Sequence, residues 1–325
     1  MNSTLLDANE HCRQWVKLPV DMLEGLNRYP DRYAVEFRKK LTEHYVPQFG
    51  IDNILPTAGS IEAIDLLITA LQPSKLIVNV PGYDVYGQRA SAHGVITQHV
   101  PFISNGQPDV STIMADADKN SLVILIHPNN PTGKLVTDSI GCDIIDNFPG
   151  LVVIDEAYIE YAGLEKSFDH FVLAKSNLIV LRTFSKAWGL AGVRLGYVIA
   201  HPALIQRLAS YQSIYSVSRF ALEAGVCALT QSSQLQAQVA ETLGSKRLLY
   251  NQLSEAGIPT INTHANFLLI NPPNVRKVHR GLQAKSILVR PRKLIYGEED
   301  LLRLTVGSKS ENELFYRVLL ETIKE

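Results

Sequence analysis

The sequence predicts an α/β fold, in which a large, doubly wound and mostly parallel sheet is followed by a smaller α+β region. Five short segments are apolar at every position, which is typical of strands that helices cover on both faces of a parallel sheet. A helical pattern lies between some of them, because IEAIDLLITAL (61–71) places its apolar residues on one stripe. This alternation favours a doubly wound sheet. The five predicted strands are LIVNV (76–80), LVILI (122–126), LVVI (151–154), LIVL (178–181) and YVIA (197–200).

The pattern changes beyond residue 211. Residues 220–256 are rich in Gln, Ala, Leu and Glu and predict helix. Three short strands and a last helix follow, namely NFLLI (266–270), SILVR (286–290), LRLTV (302–306) and ENELFYRVLLETI (311–323). We therefore predict a large α/β domain over residues 29–210 and a smaller α+β domain built from residues 1–28 with 211–325.

Composition and charge argue against several classes of protein. The 325 residues carry a formal net charge of −1, which provides no general attraction to nucleic acid or to an anionic membrane. The three cysteines are far apart, which indicates a reducing compartment and no disulfide framework. The nine histidines lack metal-binding spacing, so we expect no metal. No apolar segment approaches the ~20 residues of a membrane helix, and no signal-peptide pattern is visible. We expect a cytoplasmic protein with no nucleic-acid or membrane partner.

Polar side chains follow three of the predicted strands. Asn130 lies in HPNNPTG after LVILI, Asp155 and Tyr158 follow LVVI, and Lys186 follows LIVLRTFS. Each feature alone has an ordinary explanation, as a turn, a helix N-cap or a surface dipeptide. In open α/β sheets, however, ligands bind beyond the carboxyl ends of the strands. We therefore predict that these side chains meet at one binding site.

The residue types at this predicted site suit pyridoxal phosphate (PLP). A lysine amine forms Schiff bases with carbonyl compounds, so Lys186 can bind an aldehyde cofactor. A PLP site also requires a carboxylate beside the pyridine nitrogen, a role open to Asp155, and anchors for the phosphate. Thr183, Ser185 and Arg194 surround the lysine in the sequence, and arginine offers paired donors to phosphate.

A second phosphate-binding element is predicted upstream, in PTAGSIEAI (56–64). Its glycine turn precedes Ser60 at the start of the predicted helix, where free backbone N–H groups and the helix dipole attract anions. Ordinary capping of the helix by Ser60 is the alternative explanation. The sequence contains neither G-x-x-x-x-G-K-[ST] nor G-x-G-x-x-G, so no P-loop or dinucleotide-binding turn is predicted.

Three motifs, HPNNPTG, VVIDEAYIEY and LRTFSKAWGLAGVRLGY, resemble in order and spacing those of the class I/II aminotransferases. The resemblance extends from LNRYP near residue 26 to LRLTVGSKSEN near residue 312, and it is greatest to the branch that acts on histidinol phosphate. It implies the PLP-dependent transferase fold of type I, with PLP as cofactor. It also implies a homodimer with shared active sites.

The resemblance assigns roles to residues around the cofactor. It implies that Lys186 bonds covalently to PLP and that Asp155 pairs with the pyridine nitrogen, both as catalytic residues. It implies that Tyr158, also catalytic, and Asn130 hydrogen-bond the phenolic oxygen of the ring. Tyr83, in PGYDVYG, would stack on the ring. The residues implied to hold the phosphate are Ser60, the backbone at Ile61, Thr183, Ser185, Arg194 and, from the neighbouring subunit, Tyr29.

Two arginines are implied at the substrate end of the site. Arg303, in LRLTV, matches the position that binds the substrate α-carboxylate, and Asn130 would face the substrate as well. Arg290, in SILVR, matches a position that contacts the far end of the substrate, including a phosphate. The ordinary alternatives are structural ion pairs or solvent exposure for the arginines, and packing for Tyr29 and Tyr83.

The chain departs from the family pattern at two places. LLDANEHCRQ (5–14) stands where the family usually has a longer arm, with a tyrosine that helps to hold the substrate phosphate. Ile61 stands where the family commonly has Asp. A contact between the cofactor and the backbone would survive this change, whereas one that requires the carboxylate side chain would not form.

We therefore expect an aminotransferase that takes an amino group from a small-molecule donor, histidinol phosphate, and passes it to 2-oxoglutarate, which leaves as glutamate. Lys186 would act as the base, and its pKa would be lowered by burial. Three alternatives stay open at this point. They are an aminotransferase for aromatic or other donors, a decarboxylase like threonine-phosphate decarboxylase, and a PLP-binding regulator without turnover.

Overall fold

The computed structural model of the protein describes residues 3–295 and 298–324. The strands in this part are β1 (Thr4–Leu6), β2 (Ile54–Thr57), β3 (Lys75–Val80), β4 (Ile96–Pro101), β5 (Leu122–Ile126), β6 (Leu151–Asp155), β7 (Leu178–Thr183), β8 (Gly196–Ala200), β9 (Thr260–Ile261), β10 (Phe267–Ile270), β11 (Ile287–Ile295) and β12 (Glu298–Thr305). The α-helices are α1 (Val35–His44), α2 (Gly59–Leu71), α3 (Val85–Ala92), α4 (Val110–Ala115), α5 (Asp138–Asn147), α6 (Ile159–Ala162), α7 (Pro202–Tyr211), α8 (Arg219–Thr230), α9 (Leu235–Glu255), α10 (Val275–Ala284) and α11 (Lys309–Lys324).

Seven strands form a large sheet in the order β2-β8-β7-β6-β5-β3-β4. β8 is antiparallel to both of its neighbours, and the remaining neighbours in the sheet are parallel to each other. All five apolar segments singled out in the sequence are strands of this sheet. The predicted large, mostly parallel α/β architecture is therefore confirmed.

Both faces of the large sheet are covered, as its continuously apolar strands require. Along β5, for example, Ile124 packs in the cluster that includes the apolar stripe of α2, whereas Val123 packs in the cluster on the opposite face. The helix predicted over 61–71 is α2, which begins two residues earlier, at Gly59. Strands held in this way form a rigid support for the residues that follow them.

Five strands form a smaller sheet in the order β1-β11-β12-β10-β9. β1 comes from the N-terminus and lies parallel to β11, whereas the other described pairs are antiparallel. One face of this sheet packs against α10 and α11 through residues such as Leu282 and Phe315. On its other face, Phe267 and Leu301 join the same hydrophobic cluster as the large sheet. The smaller α+β unit is thus present, and the exact limits of the two domains stay a prediction.

Several parts of the fold differ from the sequence-based expectation, and the short strands β1 and β9 are among the elements that were not predicted. The helical segment over 220–256 is two helices, α8 and α9, because a short 3-10 turn over Ser232–Gln234 separates them. β2 and β4 were not predicted. Both are edge strands of the large sheet, and they lack a continuous apolar run because β2 contains Pro56 and β4 is half exposed. β8 is antiparallel, which its apolar sequence does not reveal.

A bilayer-spanning helix is absent from the described part of the chain, where none of the helices has the required length and apolarity. Over residues 3–295 and 298–324, no group of three or more His, Cys, Asp or Glu side chains is arranged to hold a metal ion.

Candidate active site

The carboxyl ends of β5, β6 and β7 lie side by side and carry the polar residues that the sequence singled out. Asn130 lies just beyond β5, Asp155 is the last residue of β6, and Lys186 lies just beyond β7. β2 and β3 run in the same direction, and Ser60 and Tyr83 follow them. These side chains surround one cavity of about 230 Å³.

The structure brings together all but one of the predicted site residues. Those that line the cavity are Ser60, Ile61, Tyr83, Asn130, Asp155, Tyr158, Thr183, Ser185, Lys186, Arg194, Arg290 and Arg303. Tyr29 does not line it. This side chain is 79% exposed, and its ring stacks on that of Tyr215 with the centroids 4.5 Å apart. The contact of Tyr29 with a neighbouring subunit stays a prediction.

The Lys186 amine is held in the cavity with a shifted pKa. Its Nζ donates a hydrogen bond to the backbone oxygen of Ala8 at 2.8 Å. Burial, together with the charges of Arg303 and Arg194, lowers the pKa of this amine from 10.5 to about 8, although nearby carboxylates oppose the shift. A neutral amine is the form that attacks a carbonyl group. Lys186 therefore has a substantial neutral fraction near pH 8.

The Asp155 carboxylate is buried at the end of β6. It accepts hydrogen bonds from the Tyr86 hydroxyl and from the Ala157 N–H, the latter at 2.9 Å. Burial raises the pKa of Asp155 above its ordinary value, and the two hydrogen bonds counteract part of that shift. A protonated ring nitrogen beside this carboxylate would bring the opposite charge that burial makes favourable. Tyr86 was not predicted, although it is the second tyrosine of PGYDVYG.

The start of α2 is open to an anion. The N-cap residue of α2 is Ala58, which provides no side-chain cap, so the alternative in which Ser60 caps the helix is wrong. Gly59 adopts a φ of +78°, and a Cβ at this position would collide with the Arg194 guanidinium. The guanidinium therefore lies directly over the first turn of the helix, where backbone N–H groups attract phosphate.

The corner of the cavity at the start of α2, here called the phosphate corner, also contains Thr183, Ser185 and Arg194. Thr183 ends β7, and the other two residues follow that strand. Thr183 Oγ1 donates to Ser185 Oγ at 2.9 Å, and Arg194 Nη1 donates to the same oxygen at 3.3 Å. Arg194 has a φ of +58°, a left-handed conformation that residues other than glycine rarely adopt. In the described part of the chain, its hydrogen-bond partners are a hydroxyl and a backbone oxygen, so a structural ion pair does not explain its position.

Hydroxyl and amide groups converge on a second side of the cavity. The Tyr158 hydroxyl accepts hydrogen bonds from Asn9 Nδ2 at 3.0 Å and from Asn130 Nδ2 at 3.4 Å. Burial raises the pKa of Tyr158, so its hydroxyl stays protonated and can donate in turn. The half-buried Tyr83 ring lies edge-on to Tyr86, with the centroids 5.6 Å apart.

Residues 7–9 lie at one side of the cavity and contact residues that line it, which was not predicted from the sequence. The backbone oxygen of Asp7 accepts a hydrogen bond from Arg303 Nη2 at 2.5 Å. The Asn9 backbone N–H donates to Thr305 Oγ1 at 3.0 Å. Pairing of β1 with β11 holds this segment in place. Two sequence signals concerned this segment: Asp7 and Asn9 follow a short apolar run, and the segment stands where the family usually has its arm.

Arg290 and Arg303 are direct partners in the register of β11 and β12. Arg303 is buried, and its Nη1 donates to Asn130 Oδ1 at 2.7 Å. Burial lowers the pKa of the Arg303 guanidinium to about 10, which still leaves it charged at neutral pH. Arg290 is half exposed, with its Nη2 3.5 Å from the Asp7 carboxylate. Arg292 also lines the cavity and was not predicted from the sequence.

These residues fit PLP. A partly neutral lysine can bond to its aldehyde, and a buried carboxylate can face its ring nitrogen. The corner formed by the α2 N-terminus, two hydroxyls and Arg194 suits its phosphate.

Comparison with known proteins agrees with this assignment. The chain matches the family Aminotransferase class I and II over residues 2–319. It is 34% identical over 319 residues to a histidinol-phosphate aminotransferase of Parabacteroides distasonis, covering 96% of this chain and 88% of the relative. It is 31% identical over 303 residues to an aromatic amino acid aminotransferase of Mycobacterium bovis, covering 90% and 84%. The histidinol-phosphate aminotransferase from Sinorhizobium meliloti, solved in complex with pyridoxal-5'-phosphate, has the same fold. Its TM-score is 0.87 at 21% sequence identity, and the match covers 99% of this chain and 92% of that one. The chain therefore belongs to the class I and II aminotransferase family and is a PLP-dependent aminotransferase.

Proposed function

We propose that this aminotransferase takes its amino group from L-histidinol phosphate and passes it to 2-oxoglutarate, which leaves as glutamate. The observation that carries the proposal is the direct pairing of Arg290 with Arg303 at the cavity. Like charges opposite each other in a sheet are unfavourable, and the Asp7 carboxylate, 3.5 Å from Arg290, is the one acidic group that the described residues place beside this pair. Two guanidinium groups next to a single carboxylate leave room for a further anion from the substrate. The 34% identity to the P. distasonis enzyme supports the same donor.

One site has to accept two different substrates. Histidinol phosphate carries a phosphate and no carboxylate, whereas glutamate carries two carboxylates. We assign the α-carboxylate of glutamate to Arg303, because this buried guanidinium is already oriented by Asn130. We assign the far end, either a carboxylate or a phosphate, to Arg290, which is half exposed and forms a long ion pair with Asp7 at 3.5 Å.

Residues of this chain would transfer the proton of the substrate Cα and hold the proton on the ring nitrogen. Bound PLP supplies a ring that accepts electrons from the substrate Cα. Lys186 Nζ, with a pKa of about 8, is the group that removes the proton from Cα and later delivers it. Asp155 would hold a proton on the ring nitrogen, and Tyr158 and Asn130 would donate hydrogen bonds to the phenolic oxygen.

A homodimer with shared active sites is part of the same proposal, as is a cytoplasmic location. Tyr29 and Tyr215 form an exposed stacked pair, and further exposed apolar side chains, Leu26, Tyr33 and Ile214, lie near them in sequence. Exposed apolar patches commonly mark protein interfaces. Sedimentation equilibrium should give the mass of two chains, and a monomer that retains full activity would contradict shared sites.

The proposal is tested by mixing the purified, PLP-loaded protein with L-histidinol phosphate and 2-oxoglutarate and measuring glutamate. Unphosphorylated L-histidinol, phenylalanine and threonine phosphate serve as parallel donors. We expect the largest kcat/KM for histidinol phosphate. A larger value for phenylalanine would favour the aromatic aminotransferase that the M. bovis relative represents. Release of CO2 from threonine phosphate would favour a decarboxylase.

A further inference from the structure

Arg292 shares the cavity with Arg290 and Arg303, and the proposed function gives it no role. Side chains two residues apart on a strand project from the same face, so Arg290 and Arg292 point the same way from β11. Arg303 is opposite Arg290 in register and projects from that face as well. Val289, which precedes Arg290 on the strand, packs into the core of the small sheet on the other face. Three guanidinium groups are therefore gathered at one side of the cavity.

The described residues only partly balance the charge and the hydrogen-bond donors of the Arg292 side chain. Its side chain is 20% exposed, and its buried Nε has no hydrogen-bond partner within the described residues. Its carboxylate neighbour is Asp84, with an Oδ2 to Nη1 distance of 3.6 Å, which is too long for a hydrogen bond. Buried donors are almost always paired, because leaving one unpaired is unfavourable. Within the described residues, the Arg292 guanidinium therefore has an incomplete set of acceptors, and its side chain lines the cavity where a ligand would bind.

The charge of the cavity points to the kind of ligand. Lys186 and four arginines line it, whereas Asp155 is the one acidic side chain in its described lining. The phosphate of the cofactor is assigned to the corner at the start of α2, and the α-carboxylate to Arg303. Arg290 and Arg292 then remain for the far end of the substrate. Two cationic side chains at one end of the substrate suit a dianionic group better than they suit a carboxylate, which carries a single negative charge.

We propose that Arg292 is a specificity-determining residue, which acts with Arg290 as a two-arginine subsite for a dianionic phosphate monoester. The inference rests on the proposed function, because it explains how that site distinguishes a phosphorylated donor from an unphosphorylated one. Arg292 is less exposed than Arg290, so its charge is less screened by water and its hydrogen bonds to phosphate are stronger. Arg292 therefore makes the larger contribution to this preference.

Phenyl phosphate tests the subsite without transamination, because it carries the dianion and no amine. Isothermal titration calorimetry gives its Kd for PLP-loaded wild type, Arg292→Ala, Arg292→Lys and a matched control, Arg276→Ala. Arg276 is an exposed arginine that pairs with Asp300 and does not line the cavity. We expect Arg292→Ala to weaken binding by about 10- to 100-fold, Arg292→Lys to weaken it less, and the control to match wild type.

Kinetics then separate this inference from the proposed function. Arg292→Ala should lower kcat/KM for L-histidinol phosphate by a similar factor and change that for unphosphorylated L-histidinol by less than about 3-fold. Unchanged phenyl phosphate binding, or an equal loss for both donors, would overturn the inference. A loss of PLP affinity in both Arg292 variants would overturn it too, because the side chain would then serve the cofactor. If wild type transfers no amino group from histidinol phosphate and phenyl phosphate binding still depends on Arg292, the proposed donor is wrong and the subsite stands.

Discussion

Tyr86→Phe removes a single buried oxygen that contacts the Asp155 carboxylate and tests how this carboxylate is held. Tyr86 is 1% exposed, and its hydroxyl is one of two groups that donate to the Asp155 carboxylate. The other donor, the Ala157 N–H at 2.9 Å, is unaffected by the change. Phenylalanine fills nearly the same volume, so no sizeable cavity forms. A hydrogen bond to a charged group contributes about 1.5–3 kcal/mol, and we therefore expect kcat/KM to fall by about 10- to 150-fold.

The direction of the accompanying pKa change provides a second test. The Tyr86 hydroxyl lowers the pKa of Asp155 against the larger raising effect of burial, so its removal should raise that pKa further. The acidic limb of the pH–rate profile should then move to higher pH, because Asp155 has to be ionised to pair with the ring nitrogen. Steady-state kinetics over a pH series measure both effects, with Tyr250→Phe on α9, beside the core of the small sheet, as control. A kcat/KM within about 3-fold of wild type and an unmoved acidic limb would refute this account of Asp155.

Three further changes have defined outcomes. Gly59→Ala places a Cβ against the Arg194 guanidinium at a φ of +78°, so PLP affinity should fall by about tenfold or more. Wild-type affinity in equilibrium dialysis would contradict the assignment of the cofactor phosphate to this corner. Arg303→Met removes a positive charge that lowers the pKa of Lys186. The pH midpoint for the reaction of the cofactor-free protein with PLP should therefore move from about 8 to higher pH. An unchanged or lower midpoint would mean that Arg303 does not cause the shift. Glu156→Ala leaves the buried Arg182 with fewer acceptors, so urea denaturation should show a loss of about 3–5 kcal/mol, whereas a loss near zero would mean that this ion pair is dispensable.

The central part of the site could be predicted from the sequence for a simple geometric reason. Asn130, Asp155 and Lys186 each follow a buried strand, and the carboxyl ends of parallel neighbouring strands lie at the same edge of a sheet. Their residue types then indicate the cofactor, since a lysine and a carboxylate are what PLP chemistry requires. Arg290 and Arg303 were placed by family resemblance, and strand register shows that they face each other.

The rest of the site depends on contacts between segments that are distant in the sequence. Asn9 reaches the Tyr158 hydroxyl only because β1 pairs with β11 some 280 residues later (Thr4 with Ile287). Tyr86 belongs to the site because α3 packs so that its hydroxyl meets Asp155. Asn9 lies outside the three motifs, and Tyr86 lies in PGYDVYG, where the resemblance assigned a role only to Tyr83.

The sequence by itself determined the covered parallel sheet and the polar residues at its strand ends. Burial on both faces leaves a continuous apolar run, and this run stops where the strand ends at the cavity. Only the tertiary structure decided that β8 runs antiparallel, that β2 and β4 complete the edges, and that Arg292 stands beside Arg290 at the cavity. Strand direction, register and pairing are determined by hydrogen bonds and packing between remote segments, and a local pattern of apolar and polar residues does not encode them.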